Sequence, residues 1–152
     1  MCATYPHVVG KWSTNSGPTM AEVALRPMMR SHQSDCSTAT LGALDFVDIT
    51  EEVENRLRAS GIRDGMVTVF APDKACVLVV NERESGLIAD IRDTLVRLES
   101  SDTTDKRAML GSSSVVLPAT DGRLRLGVWQ RVLLVELEAP QQRKIVVQVV
   151  GE

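Results

Sequence analysis

Three short polar stretches stand against apolar runs in this chain, and their residue types are those that bind or move charge. Asp73 and Lys74 follow Pro72 directly before the apolar run 75–80, Asn81 and Glu82 close that run, and Trp129 and Gln130 follow Gly127. A carboxylate beside an ammonium can serve as general base and charge clamp. An indole and amides can hold and orient a bound molecule. Each stretch also has a plainer reading: a turn, a helix cap, and core packing with a strand-edge amide. Polar groups at the strand ends of one sheet can nevertheless line one cleft, so all six residues are candidate pocket residues.

Other chemistries lack their residues. There is no Walker loop, no dinucleotide-binding GxGxxG, no HExxH and no GxSxG elbow. His7 and His32 lie in an irregular N-terminal region and read as solvated loop residues. A zinc site needs three or four convergent ligands, which here would take both histidines and a buried cysteine. Cys2, Cys36 and Cys76 are odd in number and have no CxxC spacing, so no disulfide framework is expected. Cys76, inside an apolar strand, reads as a small buried hydrophobe. Neither a metal nor a cofactor is expected.

Composition narrows the classes further. A chain of 152 residues is the size of one domain, able to bury roughly 70% of its unfolded surface. Its hydrophobic fraction of 43% and charged fraction of 24% are ordinary for a globular protein. A net charge of -3 with no basic block, and only 3% aromatic residues, argue against nucleic-acid and anionic-membrane partners. No apolar run reaches bilayer length, and the N-terminus lacks the order of a secretory signal. A cytoplasmic location is the expectation.

Residues 1–19 break periodicity at Pro6, Gly10, Gly17 and Pro18 and read as an irregular tail, with Met20 opening a single domain over 20–152. AEVALRP reads as a short strand ended by Pro27, and SHQSDCSTAT as a loop before LGALDFVDI. DITEEVENRLRASG is the clearest helix, with Thr50 or Asp48 as cap, Glu51 and Glu52 in the first turn and Gly61 as terminator. IRDGMVTVFAP predicts a turn at Asp64-Gly65 and then a strand. ACVLVV is continuously apolar and is expected to be covered on both faces. Ile88, Ile91, Leu95 and Leu98 share helical spacing in a second helix that Ser85 could cap. SSVVLPA and RLRLGVW flank the Asp121-Gly122 hairpin signal, RVLLVELE alternates after Gln130, and KIVVQVV closes the chain. Strands clustered late, with two helices earlier, predict α+β.

DITEEVENRLRASGIRDGMVTVFAP, then VNE, then LGSSSVVLPATDGRLRLGVWQRVLLVELEAPQQRKIVVQVVG resembles the YjbQ family, also called secondary thiamine-phosphate synthases. The resemblance runs from about Leu44 to Gly151, and its most specific element is LGxWQ at Leu126, Gly127, Trp129 and Gln130. It implies a single α+β domain, a two-layer β-sandwich with two main helices, assembled as a homotrimer. It also implies pockets where subunits meet, lined by histidines suited to metal or phosphate. The family's activity label joins an aminopyrimidine diphosphate to a thiazole phosphate. Family text has His-Thr-Thr after the proline, whereas Pro72 here is followed by Asp73, Lys74 and Ala75. The family's AHLKASLLG falls on 103–111, so its histidine meets Thr104 while its lysine is kept as Lys106. By that correspondence the pocket histidines are gone.

Three functional readings follow. One is a divergent trimeric scaffold, or a binder of a small phosphate-bearing anion held by Lys74 and Lys106 as point charges. Another is a phosphate-handling enzyme, related to thiamine-phosphate synthesis or not, with Asp73 or Glu82 as base. A third is a structural or regulatory subunit mixing with a paralogue that supplies histidines.

Overall fold

The computed structural model describes residues 28–97 and 103–152. In chain order the elements are β1 (Arg30–Ala39), β2 (Phe46–Asp48), α1 (Thr50–Ser60), β3 (Gly65–Phe70) and β4 (Cys76–Glu82). They continue with α2 (Ser85–Arg97), α3 (Thr103–Leu110), β5 (Ser114–Thr120), β6 (Arg123–Leu124), β7 (Gln130–Glu136) and β8 (Gln142–Gly151). A five-stranded sheet runs β1-β8-β3-β5-β6 and a three-stranded sheet runs β2-β7-β4. Every pairing is antiparallel. The α+β class and the sandwich are therefore present, and the short α3 adds a third helix.

Between the sheets lies the larger core, where Val67, Val69, Ile145, Val147 and Val149 meet Cys76, Leu78, Val132 and Leu134. α1 drives Val53 and Leu57 into it, both fully buried. They lie four residues apart and so share one helix face, and each contributes about 1.5–3 kcal/mol of burial. Leu57→Ala would cost about 2–5 kcal/mol. Gly61, at φ 66, ends the helix in the left-handed conformation that glycine adopts freely. The opposite face of the small sheet, with Val77, Leu133 and Val135, packs under Leu95, Ile88 and Ile91 of α2. β4 and β7 are thus covered on both faces, which explains the unbroken apolar runs. RVLLVELE does not alternate as the sequence suggested: residues 132–137 are all buried. β8 instead alternates, with Arg143, Ile145, Val147 and Val149 inward.

Several expectations change. SHQSDCSTA is not a loop but β1, paired along its whole length with β8 from Arg30↔Gly151 to Ala39↔Gln142. Its polarity suits an edge strand with one side in water, and His32 is an exposed strand residue. RLRLGVW is strand only at Arg123–Leu124. The hairpin at Asp121 (φ 54) and Gly122 (φ 72) has the two positive φ angles of a tight hairpin turn. Glu84, not Ser85, caps α2, and Asp48 lies just ahead of α1, accepting from the Thr50 N–H at 3.0 Å. The strand expected over 21–27, the tail 1–19 and Leu98 lie outside the described residues.

Candidate functional site

β4 separates two polar neighbourhoods. It is seven residues long, so at about 3.3 Å per residue its ends stand about 20 Å apart. Asp73 and Lys74 lie in the turn before Cys76, and Asn81 and Glu82 are its last two residues.

The Asp73 end is closed. The Ala75 N–H donates to Asp73 Oδ1 at 2.9 Å, the local bond that sets this turn. Arg143 Nη1 donates to Asp73 Oδ2. The rest of that guanidinium forks onto Glu136, with Nε to Oε2 at 2.8 Å and Nη2 to Oε1 at 2.8 Å. Thr40 Oγ1 donates to Glu136 Oε2 at 2.8 Å, and the Glu138 N–H donates to Oε1 at 3.0 Å. Glu136 is 0% and Arg143 3% exposed. Such a pair survives burial because the fork and the added donors replace the water both charges lost. From α3, Arg107 Nη1 donates to the carbonyls of Asp73 and Cys76 at 3.2 and 3.3 Å.

These contacts set the titrations. Burial would raise the Glu136 carboxyl, but bonds from Arg143, the Glu138 N–H and Thr40 outweigh it and hold it below the usual range. Asp73 is held low first by the Ala75 N–H and then by the Arg143 charge. The Glu136 fork raises Arg143 further. Burial, followed by the nearby Asp73 charge, pushes the Cys76 thiol up to about 11. A carboxylate whose ionised form is favoured by an arginine, with Lys74 next to it, is a poor base and a poor cation ligand. Among the described residues no three His, Cys, Asp or Glu side chains gather to hold a metal ion. The residues present at this turn therefore do not fit the metal that the family resemblance implies.

The Glu82 end is open. A cleft of about 680 Å³ is lined by Asp48, Glu82, Arg83, Val128, Trp129 and Arg131, with Glu84 at its side. Gln130 Oε1 accepts the Gly127 N–H at 2.8 Å, and Gln130 N donates back to the Gly127 carbonyl at 3.0 Å. This tight loop lifts Val128 and Trp129 into solvent, 92% and 74% exposed. Asp48 takes Arg131 Nε at 2.7 Å. Burial opposes its ionisation, but the Arg131 and Thr50 bonds keep its carboxyl below the ordinary value. Glu84 accepts the N–H groups of Gly86 and Leu87 at 2.8 and 2.7 Å. Glu82 and Arg83 form no ion pair among the described residues. They and the Trp129 ring are the groups here that remain available to a ligand.

The seven candidates thus divide. Glu82 and Trp129 line one cleft, Gln130 shapes its loop, and Asn81 supports the strand end through Oδ1 to the Glu82 N–H at 2.9 Å. Asp73, Lys74 and Lys106, the last beside Arg107 on α3, belong to the other end. Asp48, Arg131, Glu136, Arg143 and Arg107 were not foreseen. Two of them left a signal: Glu136 interrupts the apolar LLVEL, and Arg143 shares the inward parity of Ile145, Val147 and Val149.

Both ends lie within residues 35–152, which match the family model described as UPF0047 protein YjbQ-like. The chain belongs to the YjbQ family. A UPF0047 protein of Archaeoglobus fulgidus is 35% identical over 120 residues, 71% of this chain and 93% of that relative. One from Methanothermobacter thermautotrophicus is 29% identical over 136 residues, 82% of this chain and 95% of its own. The crystal structure of a YbjQ-like protein of unknown function from Sulfolobus solfataricus superposes with a TM-score of 0.76 at 31% identity, covering 82% of this chain and all 100% of that one. A C. acetobutylicum protein gives 0.73 at 30% identity, covering 78% and 99%. This YjbQ-family chain is therefore similar in fold along nearly the whole of those proteins. No described helix is long and apolar enough to cross a membrane.

Proposed function

We propose that this YjbQ-family chain is a homotrimeric binder of a small ligand that carries an anionic, phosphate-like group, and that Asp73 is a structural strut rather than a base. The observation carrying this reading is the Asp73–Arg143 pair, anchored below by the Arg143–Glu136 fork. It leaves the chemistry to the other end of β4. There Trp129 offers a flat apolar face and Arg83, which forms no ion pair among the described residues, borders the same cleft, while Arg131 is held by Asp48. Arginine suits phosphate because its planar fork matches two oxygens at once. Trimerisation is supported by the outer face of the five-stranded sheet. Met66, Phe70 and Val116 stand exposed there on adjacent strands, beside the half-buried Val146 and Val150. Exposed apolar side chains of this kind, on a face crossed by Thr68 and Gln148, are best covered by another subunit.

Native mass spectrometry of the full chain, purified without chelator or phosphate buffer, tests the reading. The expected spectrum is a trimer retaining a small anionic molecule, which Trp129→Ala releases and Asp73→Asn keeps. A monomer, or a ligand released by Asp73→Asn and not by Trp129→Ala, would overturn it. A catalytic variant of the reading draws support from Glu82, whose carboxylate faces the open cleft. With thiamine-pathway phosphates or other phosphate esters as trial substrates, it requires turnover that Glu82→Gln abolishes and Asp73→Asn spares.

A further inference from the structure

A second polar hollow lies at the edge of the five-stranded sheet, beside the start of the loop that carries Trp129. About 760 Å³ in volume, it is lined by Thr120, Asp121, Arg123, Arg125, Leu126 and Gly127, over the buried Leu124. β6 is the terminal strand of that sheet. Arg123 and Arg125 flank Leu124, so strand alternation sends both guanidinium groups to the solvent side. Thr120 pairs directly with Arg123 across the hairpin and shares its face. Arg125 follows the last residue of β6, and an extended backbone sets its Cα about 7 Å from that of Arg123, within reach of two side chains gripping one ligand. The one carboxylate in the lining, Asp121, is already taken by Arg63 Nη2 at 2.9 Å. Arg123 and Arg125 themselves form no ion pair among the described residues.

Charge sharpens the contrast. The chain carries a net charge of -3, yet the adjoining hollow adds Arg58 to Arg123, beside the Arg63–Asp121 pair. Arg58 sits at 3.5 Å from Glu54, a loose surface pair that offsets little of the local field. Arginine groups converging on an open hollow, with the only lining carboxylate neutralised, recognise multiply charged oxyanions.

From this geometry we infer that the β5–β6 hairpin forms a binding site for a diphosphate group, with Arg123 and Arg125 as the paired forks and Thr120 as a hydroxyl donor. Its lining stops at Gly127, where the lining of the Trp129 cleft begins at Val128, and the inference does not rest on the function proposed for that cleft.

Calorimetric titration of the full chain with inorganic pyrophosphate tests the site, alongside amide chemical-shift mapping. Saturable binding is expected, with shifts centred on residues 120–127. The Arg123→Ala/Arg125→Ala variant should bind on the order of tenfold or more weakly. Raising sodium chloride from about 50 to about 300 mM should weaken binding several-fold. Arg97→Ala, which removes an exposed guanidinium from α2, should bind as the parent does. Because the arginines are exposed, the paired variant is expected to keep the parent's circular dichroism and melting temperature. Failure to saturate, equal affinity in the paired variant, or equal loss in Arg97→Ala would each overturn the proposal. Shifts confined to Glu82, Arg83 and residues 128–131 would also overturn it, while supporting the proposed function.

Discussion

The two ends of β4 carry similar inventories of charge and put them to opposite uses. At the Asp73 end Glu136 and Arg143 are withdrawn from water, and the half-buried Asp73 joins them, so that the three groups are bonded to one another. At the Glu82 end the carboxylates of Asp48 and Glu84 are engaged locally, while Glu82, Arg83 and an exposed indole remain turned to solvent. The difference lies in what surrounds each group. Arg143 and Glu136 flank the crossing from β7 to β8, where the chain passes from one sheet to the other and closes the core. Glu82 and the Gly127–Gln130 stretch of the LGVWQ loop lie exposed at the rim among the described residues. Self-neutralised charge stabilises; charge without a partner recognises.

The sharpest way to break this comparison is to remove Glu136. Glu136→Ala leaves Arg143 buried with only Asp73, and should lose about 3–5 kcal/mol of stability in urea unfolding. A loss below about 1 kcal/mol would mean the fork is not what closes that end.

Acid should reproduce part of the effect. Glu136 and Asp73 are held below their ordinary values of 4.5 and 3.8, so the folded chain binds fewer protons than the unfolded chain in that range. Their stabilisation is therefore complete above those values and is lost as pH falls through them toward the lowered ones. Unfolding free energies measured at about pH 6 and about pH 3 should differ more for the parent than for Glu136→Gln/Asp73→Asn. Asp48 and Glu84 supply a remaining slope in both.

Asp73→Asn by itself should cost about 1–2 kcal/mol. The side chain is 36% exposed, and the amide oxygen can still accept the Ala75 N–H. Smallest of all, Trp129→Ala and Glu82→Gln should shift stability by no more than about 0.5 kcal/mol, while altering the ligand retained in native mass spectrometry. If instead the open end proves costly and the closed end cheap, the assignment of roles must be reversed.

Much of the fold was legible. Four-residue spacing of Val53 and Leu57, Gly61 at the stop, Asp121-Gly122 at the hairpin and the apolar run 75–80 each act within a few residues and read correctly. β1 did not, because Ser31, Gln33, Asp35 and Ser37 are polar and its place depends on β8, more than a hundred residues later. The candidate site was half legible. Glu82 and Trp129 share a cleft, but Asp73 was grouped with them because strand-end residues carry no label saying which end of the sheet they occupy. Arg143 was not singled out, although its parity with Ile145 places it inward.

Alone, then, the sequence determined the α+β class, the two longer helices, the hairpin and the family to which the chain belongs. Those follow from periodicity, turn chemistry and ordered motifs, all of which act between near neighbours. Only the tertiary structure decided that Asp73 is bound by Arg143 and that Glu82 faces open space with Trp129. Such roles depend on which distant groups approach within hydrogen-bonding distance and which water is excluded, and no local pattern encodes that.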